Sequence, residues 1–242
     1  MSPRPPAVRA GLDVEACLAE AAIGPGASAL VAGMDEVGRG ALAGPVTVGV
    51  CAARVPALGV VPAVRDSKAL TDRRRRALAP EIEAWAAGVV LGEASPAEID
   101  RLGITRALAL AGCRAWAGLV AALGEEPVAL ILDGSDDWLR HARGGGMDDV
   151  VTGPVPPAPH MMVKAEDRCA TVAAASIAAK VGRDDAMIAL SAAHPAYGWA
   201  GNKGYGAAAH RSALVELGAT EHHRRSWNLG LPGTGAEPDV LF

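Results

Sequence analysis

Short apolar runs alternate along the chain with longer stretches of helical period. Residues 14–23 (VEACLAEAAI) read as a short helix between Pro- and Gly-rich flanks, within a segment, 1–28, expected to form an N-terminal extension. Leu30–Asp35 reads as a buried strand broken at Gly38 and Gly40, and Pro45–Ala53 (PVTVGVCAA) as its hairpin partner. VPALGVVPAV is loop-like. A helix over Asp72–Ala87 and a strand, GVVLGEA, follow. Ser95 is the expected cap of the next helix, with Pro96 first in it and Glu98 three past the cap. That helix should run, with a break near Gly103, to Leu123. Pro127–Gly134 (PVALILDG) is unbroken apolar sequence, as in a central strand covered on both faces. Residues 135–160, with Gly144–Gly146 and four prolines, read as a long loop. HMMV predicts a short strand, Arg168–Ala193 and Ala207–Leu217 predict helices, and the Gly/Pro-rich residues 228–242 predict a disordered tail. A hairpin followed by alternating helices and strands makes this an α/β domain with a mixed sheet.

Composition narrows the picture. At 242 residues the chain suits one domain, with or without an appendage. Half of it is apolar, yet it has only five Trp, two Tyr and one Phe, so alanine and the aliphatics must fill the core through closely packed helices. A net charge of −4 gives no global basic field for nucleic acid. Only DRRRRAL (72–78) and HHRRS (222–226) keep that partner open. The four cysteines lack zinc spacing and are too sparse for a disulfide-built domain, so a reducing, cytoplasmic setting is expected. The N-terminus has no uninterrupted apolar core, and no run reaches the ~18 apolar residues of a membrane span. With no extra apolar stripe to cover, a monomer is expected.

The acids stand out by where they fall. Asp35 and Asp133 end predicted strands, and Glu166 and Asp167 precede a predicted helix; in open α/β sheets, sites are built at the carboxyl ends of strands. Each has a plain alternative. Asp133 can be turn chemistry in DGS, Glu166 or Asp167 a helix cap, and Asp35-Glu36 a solvated turn. Strand alternation also sends Asp35 and Glu36 to opposite faces unless the strand stops at Asp35. Should the acids converge, cations must neutralise them. An all-oxygen donor set suits Mg²⁺ or Mn²⁺, and a pair of such ions ~3.5–4 Å apart supports phosphodiester hydrolysis.

AGMDEVGRGALAGPV, DSKALT, LILDGS, VKAEDRCATVAAASIAAKVGRD and GNKGYG…H…GATEHHRRSW occur in the order seen in ribonuclease HII, and the chain resembles that family from Ala32 to about Trp227. The resemblance implies a ribonuclease H-like mixed sheet flanked by helices over 29–227, with a C-terminal helical part from about 194. It implies cleavage of RNA in RNA–DNA hybrids and 5′ of single ribonucleotides in duplex DNA, leaving 3′-hydroxyl and 5′-phosphate ends. Its metal-binding carboxylates map to Asp35, Glu36 and Asp133. The fourth, an aspartate in the family, falls on Glu166, with Asp167 as the alternative.

The same resemblance assigns Gly38, Arg39 and Gly40 to the ribose at the RNA–DNA junction and Tyr205 to the next sugar. Ser67, Lys68 and Lys164 become contacts to the nucleic-acid backbone or the acids. His222–Arg225 bind phosphate or tie the C-terminal part to the core, and Lys180 with Asp184, four apart, reads as an ion pair. Two rivals stand beside this reading. One is a type 3-like ribonuclease H, whose fourth carboxylate is Glu; the other is a hybrid-binding protein without catalysis.

Overall fold

Five strands form one sheet in the order β3-β2-β1-β4-β5. The computed structural model describes residues 9–57 and 59–231. β1 (Ala29–Val37), β2 (Val46–Val55) and β3 (Gly88–Ala94) form an antiparallel meander, and β4 (Ala129–Asp133) and β5 (His160–Met162) add in parallel beyond β1. The mixed α/β sheet is thus as expected. α1 (Asp13–Ile23), α2 (Asp72–Trp85), α3 (Pro96–Leu102) and α4 (Ile104–Leu123) lie before β4, and α5 (Arg140–Arg143) follows it. α6 (Ala170–Ala193), α7 (Trp199–Asn202) and α8 (Ala208–Leu217) come after the sheet.

α6 covers one face of the sheet and α4 the other, both at backbone distance. A Cβ on Gly49 would lie 2.4 Å from the Ala175 carbonyl of α6, and one on Gly92 would lie 2.1 Å from the Ala111 carbonyl of α4. This is how a chain poor in aromatics fills its interior: alanine-rich helices approach until backbone meets backbone. By length and composition α4 would suit a membrane span, but Leu108, Trp116 and Leu119 are buried with Val48 and Val50 of the sheet, as in a core helix. The Ser95 capping box forms as expected, and Gly103, at φ +76°, separates α3 from α4.

Three expectations need correction. First, the segment before β1 is not a loose extension over its described part. Gly11 bridges to Cys169, the Glu15 carboxylate accepts from the Thr171 amide at 3.0 Å and its hydroxyl at 2.8 Å, and Ala19 packs with Val31 and Ile131; residues 1–8 lie outside the described residues. Second, 135–160 is not a bare loop. α5 forms within it, and Trp138, Leu139, Ala142 and Met147 are buried under α4. Apolar anchors outweigh the local Gly and Pro signals because they are the lid of the core on that side. Third, the tail begins later than Asn228, since Leu229 is buried with Trp199 and Leu214; 232–242 lie outside the described residues.

Candidate active site

The acids come together through strand register. β1 and β4 run parallel with Met34 opposite Leu132, so Asp35 and Asp133 come next along the two strands, on the face covered by α6. β1 does not stop at Asp35 but runs to Val37, so Glu36 leaves from the opposite face. It lines a cleft of about 250 Å³ with Arg39, Asp133, Ser135, Asp136 and Trp138. Glu166 arrives from the 3₁₀ turn Ala165–Asp167 ahead of α6. Two backbone amides fix the acids: Glu36 N donates to Asp35 Oδ1 at 2.8 Å, and Ala165 N donates to Asp133 Oδ1 at 2.7 Å.

Burying carboxylates beside one another raises their proton affinity. Asp35 is 6% exposed, and burial pushes it up to about 6, with a hydrogen bond from Ser176 opposing and the Asp133 charge adding to the rise. Burial, then the Asp35 charge, takes Glu36 to about 7. Glu166 is raised too, by burial and its hydrogen bond with Asp133. Lys68 is held above its usual value: burial opposes its charge, but Asp35, Glu166, Asp66 and Asp133 outweigh that. One oxygen of Glu166, Oε2, is buried with no hydrogen-bond partner, whereas Asp167 is exposed. A buried orphan oxygen among mutually repelling acids fits a hard divalent cation. Of the two candidates for the fourth carboxylate, Glu166 is the one aimed inward.

The residues flagged for substrate contact divide. Arg39 and Gly40 are exposed, and Arg39 pairs with Asp136 at 3.1 Å. Gly38 has φ +89°, and a Cβ there would lie 2.0 Å from Arg183 Nε; around Gly40 no atom lies within 4 Å of such a Cβ. Lys164 is exposed in the left-handed region at φ 57°, an uncommon conformation outside glycine. Tyr205 is 40% exposed with Arg183 stacked 5.6 Å from its ring centroid. Ser67 turns inward instead. It is 2% exposed, its hydroxyl lies 2.9 Å from that of Ser176, and its carbonyl accepts from Arg75 at 2.9 Å. Ser67 therefore faces Ser176, the hydrogen-bond partner of Asp35, and not solvent.

Two buried arginines, Arg183 on α6 and Arg224 of the HHRRS segment, shape the loop after β1. Arg224 donates to the carbonyls of Gly38 (2.7 Å), Arg39 (2.8 Å), Gly44 (3.2 Å) and Pro45 (3.3 Å), and stacks on Trp227. Arg183 donates to Pro45 (2.9 Å), Lys203 (3.0 Å) and Ala43 (3.2 Å). Burial holds Arg183 below its usual value and brings Arg224 down to about 9. Arg224 thus ties the C-terminal part to the core, and the backbone amides of Arg225 and Ser226 do so at Asp100. Lys180 pairs with a buried Asp184 as expected.

Behind Tyr205 lies a pair of buried histidines whose tautomers follow from their partners. The Thr220 amide donates to His223 Nδ1 at 3.0 Å, so His223 carries its proton on Nε2. That proton goes to His210 Nε2 at 3.1 Å, which also accepts from Trp199 Nε1 at 3.1 Å. His210 Nδ1–H then donates to the Tyr205 carbonyl at 2.9 Å. Protonating His210 Nε2 would set it against both of its donors, and burial lowers both rings, His223 to about 4.

Comparison with known proteins bears on the family and the fold. The family model for Ribonuclease HII matches residues 32–229. Ribonuclease HII of Streptomyces avermitilis is 45% identical over 198 residues, 82% of this chain and 76% of that protein. The Paracoccus denitrificans enzyme of that name is 45% identical over 214 residues, 87% and 90%. Among solved structures, the PCNA:RNase HII complex from Archaeoglobus fulgidus aligns over 82% of this chain and 95% of that one, with TM-score 0.59 and 25% identity. Bst-RNase HIII in complex with Mn²⁺ aligns over 83% and 68%, with TM-score 0.66 and 25% identity. The fold likeness does not separate the two ribonuclease types, but the family match and the sequence identities do: this chain belongs to the ribonuclease HII family of endonucleases.

Proposed function

We propose that this protein hydrolyses the RNA strand of RNA–DNA hybrids and cuts 5′ of a single ribonucleotide in duplex DNA, leaving 3′-hydroxyl and 5′-phosphate ends. The observation that carries the reading is the cluster of Asp35, Asp133 and Glu166, with Glu36 reaching Asp133 from the other face of β1, at a buried, unpartnered oxygen of Glu166 beside an open glycine loop. These four residues would hold Mg²⁺ or Mn²⁺, and a solved relative is itself a Mn²⁺ complex. When bound, such a pair of ions supplies an acidified water and charge to stabilise the leaving oxygen.

The protein's own groups prepare that site. The Glu36 and Ala165 amides hold the Asp35 and Asp133 carboxylates in fixed orientations, with Ser176 and Ser67 behind Asp35. Lys68 offsets part of the acids' repulsion before any cation arrives. Gly40 leaves room for a sugar-phosphate backbone to touch the loop, where main-chain groups can read the 2′-hydroxyl that separates RNA from DNA. Tyr205, braced by Arg183 and His210, offers a flat surface to the deoxyribose on the other side of the junction. Arg39 and Lys164 offer charge to the phosphates.

The test is cleavage of duplex DNA carrying one ribonucleotide, with Mg²⁺ or Mn²⁺ and with EDTA. Metal-dependent cutting 5′ of the ribonucleotide is expected. Binding of hybrids with no cutting, on this substrate or a long hybrid, would make the protein a non-catalytic binder and overturn the proposal.

A further inference from the structure

A second donor set, of a different chemical kind from the carboxylates, lies at the far end of α6. His194 caps that helix, and Glu221 and His222 follow α8. One ligating atom from each of the three lies within 4.8 Å of the other two. The imidazoles meet edge to face, with centroids 5.2 Å apart at 70°, and His222 Nε2 is 3.8 Å from Glu221 Oε1.

These histidines differ sharply from their neighbours. His210 and His223 spend all four ring nitrogens on hydrogen bonds. The ring nitrogens of His194 and His222 make none among the described residues. His194 is nonetheless held in place, its ring 5.4 Å from that of Trp199 and 6.3 Å from that of Tyr197. Two oriented imidazoles with free nitrogens, next to a carboxylate, are the donor chemistry of Zn²⁺ and its neighbours, not of Mg²⁺. A tetrahedral ion with bonds of about 2.0–2.2 Å holds its donors roughly 3.3–3.5 Å apart, so the set must draw in by about an ångström. Glu221, 80% exposed at its side chain, is free to turn and make that closure.

We propose that His194, Glu221 and His222 form a transition-metal site of the Zn²⁺ class, separate from the hard cations of the carboxylate cluster. Its ion staples the end of α6 to residues 220–224. That segment carries Arg224 to the glycine loop, and its His222 carbonyl accepts from Gly44 N at 2.8 Å. The ion would stiffen the loop's support without reaching the reacting phosphate, and the inference does not depend on the nuclease reading.

The test uses the untagged full chain, freed of metal and then held in excess Mg²⁺ so that the carboxylates are filled. Calorimetric titration with Zn²⁺ should find one equivalent, Co²⁺ should give a tetrahedral visible spectrum, and Zn²⁺ should raise the melting temperature. In the His194→Ala/His222→Ala double variant all three effects should vanish, the Zn²⁺-induced rise being read against that variant's own metal-free melting temperature. Glu221→Gln, an exposed change that folding tolerates, should weaken Zn²⁺ at least about tenfold. Wild type that binds no Zn²⁺ under these conditions would overturn the proposal. So would Zn²⁺ retained by the double variant, or unchanged affinity in Glu221→Gln.

Discussion

Glu166 stands where the family resemblance implies aspartate, and the orphaned Oε2 beside a solvent-facing Asp167 argues that it takes that role. Glu166→Gln should cut Mg²⁺-dependent cleavage by at least the ~10–100-fold that follows loss of even an outer partner of a metal ligand. Asp167→Asn should leave it near wild type, and steady-state rates on the single-ribonucleotide substrate decide between them. The two loop glycines should part company in the same way. Gly38 combines a left-handed backbone with a collision against Arg183, so Gly38→Ala should lower the melting temperature. Gly40 has open space, so Gly40→Ala should melt like wild type while losing affinity for the nucleic acid. Equal loss of stability in both would mean that Gly40 serves the fold alone.

At the scale of elements, the loop after β1 has its shape imposed from α6 and from the segment after α8. Arg224 donates to the carbonyls of Gly38, Arg39 and Gly44, and a buried carbonyl left without a donor costs about 1–3 kcal/mol. Lysine offers one ammonium where the loop needs a planar fork. Arg224→Lys should therefore lower stability by at least one such increment and reduce cleavage with it, and denaturant unfolding beside single-turnover rates would measure both. Wild-type stability in that variant would mean the carbonyls find other donors. That dependence was legible beforehand only as one of two alternatives, phosphate binding or a tie to the core. HHRRS announced a basic cluster, but only the docked segment reveals that its first arginine is spent inside the protein and its second histidine on the chain leading to Tyr205.

Across the whole molecule, two buried sets of titrating groups pull stability in opposite directions. Asp35 and Glu36 titrate at about 6 and 7 in the folded state, above their ordinary values near 4. The native state therefore binds more protons than the unfolded chain between about pH 4 and 7, and their contribution is lost as pH rises through that window. His210 and His223 are lowered, so theirs is present above about 6.5 and lost as pH falls toward 4. Metal-free protein should show a shallow pH dependence in that range. Asp35→Asn should stabilise it at about pH 8 by on the order of 1–3 kcal/mol and tilt the profile toward high pH, measured as melting temperature against pH. A profile unchanged by the substitution would mean that Asp35 is not strained. Because net charge is −4, nucleic-acid affinity must come from local groups. Lys164→Ala should weaken binding across sequences and reduce the slope of log affinity against log salt by about 1, read from binding at several salt concentrations. An unchanged slope would remove Lys164 from the interface.

By itself the sequence determined the strands and the long helices from Leu30 to Leu217, the position of acids at or near the ends of two strands, and the family. Apolar periodicity and caps such as Ser95-Pro96-Ala97-Glu98 act within a few residues, so they can be read locally. Tertiary structure alone decided that Asp35 and Glu36 leave opposite faces of a continuous strand, that Glu166 and not Asp167 turns inward, and that Ser67 backs Asp35 through a serine 109 residues away. It also decided that Trp138 and Leu139 close over α4, that Glu15 anchors the chain before the sheet, and that Arg183 and Arg224 are consumed by a loop more than 130 residues distant. The reason is common to all of these. Burial and the identity of a hydrogen-bond partner depend on which distant segments pack together, and no local pattern carries that information.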